Sequence, residues 1–360
     1  MHRKTLLGVD WWLLVPVAVL IIISLVTLLS LNRALFFSQF FTLIIGVIAF
    51  LIFSRIRVES FVRLAIPIYI ISIILLLIVL IIGFESHGAV RWISLGGFPI
   101  QFSELLKPFL ALALASYLSQ HKTRSFRSLL AILLFLAPIF GLIAFQPDLG
   151  NALIYAGVVF LVLITFGYSL KWFGLLAVPF LLASPVVWNI LHDYQQKRLL
   201  TFLNPTSDPL GASYNVIQAM IAVGSGMFLG KGLSQGTQSG LRFLPERHTD
   251  FIFATLSEGL GFIGAIIVLV AFIMLCVRIY VIFTQMDNDF AKIFASVVFS
   301  FFLVHFFVNI GMNLALLPVV GVTLPFVSFG GNSLLSNFIF LGILSSMVTS
   351  YSRHSVLEIK

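Results

Sequence analysis

Phe243-Leu244-Pro245-Glu246-Arg247-His248-Thr249-Asp250-Phe251 is the stretch on which the reading of this sequence turns. It places four ionisable side chains in five positions, in a chain only 9% charged, and leads straight into the apolar run 251–275. A run of that length is enough to cross a bilayer as a helix. Charge gathered at a membrane boundary is costly unless it has work to do. The questions are therefore how the chain sits in the membrane and which face carries the cluster.

The 360 residues are 60% hydrophobic, with a mean hydropathy of +1.12. A soluble domain of this size cannot hide so much apolar side chain, so the chain reads as a polytopic membrane protein. Long Leu/Ile/Val/Phe runs without period-2 alternation point to helices and against a β-barrel, giving an all-α expectation. The net charge of +8 is explained by Lys and Arg in cytoplasmic loops, so no nucleic-acid partner is implied. Cys276, the single cysteine, ends an apolar run and reads as a buried thiol.

Apolar runs suit helix crossings at 12–30, 34–53, 64–83, 104–119, 128–145, 149–168, 172–191, 251–275, 292–317 and 333–350. The run after Met1-His2-Arg3-Lys4 is too long for a signal-peptide core and reads as an uncleaved first span. Ten transmembrane helices put both termini on one side. The short loops on that side are the richer in Lys and Arg, including Arg55, Arg57, Lys122, Arg124, Arg127 and Lys171, so both termini are expected to be cytoplasmic. Glu104, Asp148, Asp193, Glu246, Asp250 and Glu258 fall on or just inside the opposite face.

The outer face also carries the one long loop, 192–250, within a single membrane domain spanning 1–360. It opens on His192 to Arg198 and turns between Asn204 and Gly211. Apolar residues at 214, 217, 220, 221 and 228 then fit an amphipathic helix lying in the interface. Glycines from 224 to 240 read as a flexible lead into the cluster. No internal repeat is evident, which disfavours inverted-repeat transporter designs.

Asp250, at the mouth of the eighth span, suits a half-buried general base; Thr249 or Asp250 also suits a helix N-cap. Glu246, His248 and Asp250 alternate and would share one side of an extended segment as ligands for a divalent ion. A Ser257–His248–Asp250 triad lacks the sharp nucleophile turn. Glu104 and Lys107 are spaced as a helix ion pair, with Ser103 as its cap. Arg91-Trp92 suits an interfacial anchor, and Gln146 to Gly150 suits a helix start with Pro147 in the first turn and Asp148 at the positive end. Arg91, Lys107, Lys197, Arg198, Arg242 and Arg247 together could neutralise a phosphate or pyrophosphate on a lipid headgroup. Asn309, Asn313 and Asn332 are buried partners for one another or line a cavity.

Leu244 to Ala254 closely resembles the signature of the SEDS family (RodA, FtsW, SpoVE), and its Arg247-His248 is most like the RodA branch. The resemblance continues, in family order, through Gly88 to Trp92, Ser103 to Lys107, Gln146 to Gly150, Leu317 to Gly321 and Pro325 to Gly331. It implies a glycosyltransferase of the bacterial cytoplasmic membrane, active on its outer face in cell elongation and shape maintenance. The reaction polymerises lipid II, releases undecaprenyl pyrophosphate, and works beside a class B penicillin-binding transpeptidase. Asp250 matches the family's essential acid, and Arg91, Trp92, Glu104, Lys107 and Asp148 match positions around its cavity. A divalent cation, Mg or Mn, would assist the leaving group. Phe102, Gly259 and Asn332 depart from the usual pattern. The competing reading is a flippase that moves the lipid-linked precursor outward.

Overall fold

The computed structural model describes residues 10–86, 89–95, 98–191, 193–204, 211 and 213–357. His192, positions 205–210 of the expected turn, and the basic residues Arg3, Lys4 and Lys360 lie outside them.

α1 (Trp11–Leu31) and α2 (Arg33–Arg55) form a hairpin turned by one residue. The Asn32 N–H donates to Leu28 O at 2.9 Å, closing α1, and its side chain accepts from Ala34 N at 2.8 Å, opening α2. α3 (Val58–Ile82) follows, then a small antiparallel meander of β1 (Phe84–Ser86), β2 (Ala89–Leu95) and β3 (Phe98–Ile100). The all-α expectation is corrected here: extended backbone, paired Ile93 to Ile100 and Leu95 to Phe98, carries the chain across the mouth of the bundle. Outer strands of three residues leave little periodic signal.

The fourth apolar run is two helices, α4 (Phe102–Leu105) and α5 (Lys107–Gln120), broken at Leu106 just before Pro108. α6 (Phe126–Phe145) and α7 (Leu149–Thr165) match the next two runs. The seventh run is also divided, into α8 (Leu170–Leu182) and α9 (Ser184–Ile190). The outer loop holds α10 (Asp193–Leu203), α11 (Tyr214–Ser225) and α12 (Thr237–Gly240), before α13 (Ile252–Gln285), α14 (Asp289–Asn313) and α15 (Gly331–Leu357). Every expected run thus holds a helix, and seven of those described are long and apolar enough to cross a membrane.

Polarity is arranged inside out. Ile22, Leu134, Phe180 and Ile273 are more than half exposed, whereas Lys107, Asp148, Asn309 and Asn313 are at most 2% exposed. Apolar side chains meet lipid and polar ones meet each other, as in a multi-pass membrane protein. Pairs at one end of the bundle, Arg278–Asp10 at 2.5 Å and Lys122–Asp289 at 3.0 Å, join helix ends expected on the cytoplasmic side.

Two expectations for the long loop change. α11 exists, but the face it buries is Val216, Ala219 and Ala222, set against α13; the expected apolar face leaves Met220 and Ile221 exposed. Small residues let the two helix backbones approach closely. The glycine-rich segment is a close-packed clasp. A Cβ on Gly226 would stand 1.9 Å from Ser257 O, and one on Gly230 would stand 2.2 Å from Gly259 O. α13 breaks its helical path at Gly261 (φ 69°), and Phe262 N and Ile263 N donate instead to Met227 O and Phe228 O, at 2.9 and 3.3 Å. Glu258 grips the other end of the clasp, accepting from Gln238 N, Ser239 N and Ser239 Oγ at 2.9, 2.9 and 2.7 Å.

Candidate active site

The 243–251 segment is a series of turns, with Glu246 at φ 47°, whose carbonyl accepts from Thr249 N at 3.2 Å and Phe251 N at 3.1 Å. The expected one-sided alternation of Glu246, His248 and Asp250 is therefore lost, because turned backbone does not alternate its side chains. Glu246 is exposed and accepts from Thr249 Oγ1 at 2.7 Å. Among the described residues, no three His, Cys, Asp or Glu side chains gather as a metal site.

The segment is tied to the 321–330 stretch: Phe329 N donates to His248 O at 2.8 Å, and Ser328 Oγ donates to Thr249 O at 2.7 Å. Asp250 is fixed from a third side. Asn309 Nδ2 and Asn313 Nδ2 both donate to its carbonyl at 3.0 Å, and Asn309 also reaches Val322 O at 2.6 Å. The N-cap expectation for Thr249 or Asp250 is corrected, since Phe251 holds that position without a side-chain cap. Asn313 Oδ1 does part of the capping from another helix, accepting from Ala254 N at 3.0 Å. The half-buried Asp250 carboxylate lies against Gly321, whose built Cβ would be 3.5 Å from Oδ2.

Asp148 organises the neighbouring cluster. It caps α7 through Asn151 N at 3.4 Å, so Pro147 precedes the cap and lies outside the first turn. Its Oδ2 accepts from Gln101 Nε2, Ser103 Oγ and Asn151 Nδ2 at 3.0, 3.0 and 2.9 Å, and Arg91 NH1 reaches Oδ1 at 3.3 Å. Ser103 thus serves Asp148, and the expected Ser103 cap is not formed. Glu104 and Lys107 pair as expected, at 2.6 Å, with Lys107 almost wholly buried. Phe102 packs into the apolar cluster around Tyr69 and Leu76, and Trp92 is half-buried on β2 opposite Phe84.

The Asp148 cluster and Asp250 abut through one backbone strip. Gly150, in the first turn of α7, lies so close to Val320 O that a Cβ would stand 2.3 Å from it, and Gly321 on the same strip touches Asp250. Two buried polar atoms in this region, Arg91 Nε and Glu104 Oε2, have no hydrogen-bond partner among the described residues. Buried polar groups are rarely left so.

Other expected site residues stand apart. Lys197 and Arg198 are exposed on α10, and Arg198 lines a small cavity of about 30 Å³ with Val216, Ala315 and Pro318. Arg247 donates to Ser239 O and lines a polar cavity of about 100 Å³ with Thr27, Ser30 and Thr255. Burial, then the charge of Arg242, lowers the Arg247 pKa. Burial also lowers that of His248; Glu246 opposes the shift and Arg247 adds to it, so the imidazole is biased toward neutrality. Ser257 spends its hydroxyl on Phe253 O at 2.7 Å, which removes the triad. Asn332 reaches Pro99 O at 3.1 Å, closing β3 onto the start of α15.

Sequence reading missed Gln101, Asn151, Gly321 and Ser328 as structural partners, and above all His305. His305 is 1% exposed, with Nε2 at 3.2 Å from Lys107 Nζ. Its signal was present: His305, Asn309 and Asn313 recur every four residues on one helix face.

The FtsW–RodA–SpoVE family model, described as cell cycle protein, matches residues 4–353. Peptidoglycan glycosyltransferase MrdB of Escherichia coli strain K12 is 42% identical over 285 residues, 78% of this chain and 76% of the relative. Probable peptidoglycan glycosyltransferase FtsW of Idiomarina loihiensis is 38% identical over 282 residues, 76% of this chain and 68% of its own. A chain from a peptidoglycan synthase complex, solved to explain coordination of polymerization and crosslinking, aligns with a TM-score of 0.81 at 33% identity, covering 95% of this chain and 97% of that one. The rod shape determining protein RodA of Thermus thermophilus aligns with a TM-score of 0.72 at 28% identity, covering 96% and 98%. With sequence and fold matched over almost its whole length, this chain belongs to the FtsW–RodA–SpoVE family.

Proposed function

We propose that this protein is a peptidoglycan glycosyltransferase that polymerises lipid II at the outer face of the bacterial cytoplasmic membrane. The observation that carries the reading is the fixing of Asp250. Two buried Asn side chains hold its carbonyl at 3.0 Å, and its half-buried side chain lies beside a strip that touches the Asp148 cluster.

The chemistry follows from the bonds exchanged. An acceptor sugar hydroxyl attacks the anomeric carbon of a lipid-linked donor, and the bond to undecaprenyl pyrophosphate breaks. An α-linked donor giving a β-linked product requires inversion, for which one base opposite the leaving group suffices. Asp250 accepts the hydroxyl proton. Arg91, with an unpartnered Nε, offers the leaving pyrophosphate a charge-assisted donor, and Lys107 adds positive potential from within. The lipid tail lies along the apolar flanks of the spans. Among the described residues no three His, Cys, Asp or Glu side chains gather as a metal site, so a divalent cation would be one that arrives with the substrate's pyrophosphate.

Ten crossings with cytoplasmic termini complete the proposed topology, which puts the 192–250 loop and Asp250 outside. A class B penicillin-binding transpeptidase is the proposed partner, supported by the likeness to the peptidoglycan synthase complex. The flippase reading requires polar groups along the whole path. Here the buried Lys107, Asp148 and Glu258 all lie within two turns of helix starts at one end, which favours chemistry at one face.

The test compares purified wild type with Asp250→Asn on lipid II, each with the transpeptidase partner present. Glycan chains are expected from wild type alone. Equal chain formation by the two would remove Asp250 as the base. Headgroup translocation in liposomes without polymerisation would replace the enzyme with the flippase.

A further inference from the structure

Three side chains on α14, His305, Asn309 and Asn313, are each 0–1% exposed and spend their polar atoms on three other segments: 250–254, 322–323 and the start of α5. Asn309 and Asn313 hold the Asp250 carbonyl, and Asn309 also holds Val322 O. His305 continues the stripe one turn further in, with Nδ1 at 3.1 Å from Thr323 O and Nε2 at 3.2 Å from Lys107 Nζ. The neighbouring strip, Val320-Gly321, touches Gly150 on one side and the Asp250 carboxylate on the other.

The hydrogen positions follow from the partners. A carbonyl oxygen only accepts, so the proton of His305 sits on Nδ1. Nε2 then carries a lone pair, and Lys107, which has only donors, donates to it. Lys107 shares its remaining protons with Glu104 Oε1 at 2.6 Å and lies over the Phe301 ring at 5.1 Å. An ammonium has three rotatable donors on a flexible stem, so two fixed acceptors on different helices determine its direction. Without His305, Lys107 would still pair with Glu104, which lies three residues away, but the side-chain link from that pair to Thr323 would be lost.

We propose that His305 is a positioning residue for glycosyl transfer, joining the Glu104–Lys107 pair to the strip that seats Asp250. The inference rests on the glycosyltransferase reading. It places the cation side and the base side of the reaction on one rigid rail, α14, so that their separation does not depend on the outer loop. Geometry of this kind matters because small misplacements of reacting groups cost large factors in rate.

Three variants of the full-length protein with its transpeptidase partner test the inference. His305→Gln can donate to Thr323 O and accept from Lys107 together. His305→Leu can do neither, and His305→Asn is too short to reach both. Expected are a fall in kcat on lipid II of about tenfold or more for Leu and Asn with KM changed little, and recovery of most of kcat by Gln. Amide exchange at Val322 and Thr323 should rise in Leu and Asn and stay near wild type in Gln. Equal losses in all three variants would reduce His305 to a packing residue, and unchanged exchange in Leu and Asn would overturn the tie. A wild type that makes no glycan would fail the glycosyltransferase reading, while the exchange measurement would still decide whether His305 joins the two parts.

Discussion

Asn313 holds Asp250 from a helix 63 residues away in sequence: its Nδ2 donates to the Asp250 carbonyl at 3.0 Å, and its Oδ1 accepts from Ala254 N at 3.0 Å. One buried amide thus serves the carbonyl of the residue before the Phe251 N-cap and an N–H in the first turn of α13. Asn313→Leu would leave the Ala254 N–H without its partner, at a cost of about 1–3 kcal/mol, and the Asp250 carbonyl with Asn309 alone as its side-chain donor among the described residues. The expected outcome is a lower unfolding temperature in detergent and a loss of polymerase turnover larger than the stability change explains. Asn313→Asp should be worse in turnover, since it replaces the donor facing a carbonyl with an oxygen.

Gly150 packs against the strip between the two halves of the site and Gly321 lies on it, and they should differ in cost. A Cβ on Gly150 would be driven to 2.3 Å from Val320 O, a backbone atom with little room to retreat. Gly321 has φ +72° but only an ordinary 3.5 Å contact to Asp250 Oδ2, so Gly321→Ala bears chiefly the left-handed backbone penalty of about 1–2 kcal/mol. Gly150→Ala is therefore expected to lose more activity and more thermal stability than Gly321→Ala. The reverse order would mean that the strip does not depend on the α7 contact.

The apolar runs made the helices legible, because a bilayer demands long uninterrupted segments and the sequence supplies them. The 84–100 meander was not legible: its outer strands have three residues each, too few to display a period, and the seven-residue Ala89–Leu95 does not alternate apolar and polar side chains throughout. Glycine misled in the long loop: absence of a side chain signals either freedom or close approach, and only the contact of Gly226 with Ser257 O decides for the second. Asp250, Glu104 and Lys107 stood out because charge is scarce in this chain. His305 showed only in its four-residue spacing with Asn309 and Asn313; its pairing with Lys107, 198 residues away, has no local signal.

Burial lowers the pKa of His248, so the folded protein favours the neutral ring more than the unfolded chain does. Its contribution to stability is complete above the ordinary histidine value of about 6.5 and declines as pH falls from there toward the folded value. The unfolding temperature should drop with acidification across that window, and His248→Gln should flatten that part of the profile. A variant profile parallel to wild type would assign the acid sensitivity to other groups.

Glu104 and Lys107 make the clearest case for separating stability from chemistry. Lys107 is 1% exposed in its side chain and Glu104 is 13% exposed, so removing either leaves a charge in a poorly solvated place. Breaking such a pair from one side typically costs about 3–5 kcal/mol, whereas replacing both partners with neutral groups is often nearly neutral. Glu104→Gln and Lys107→Met should each lower the unfolding temperature, and the double variant should recover much of it. Polymerisation of lipid II should stay low in the double variant, because the cation near the leaving group and the acceptor Glu104 Oε2 are both gone. Recovery of activity together with stability would show that the pair only holds the helices together, and the positive potential would then have to come from Arg91.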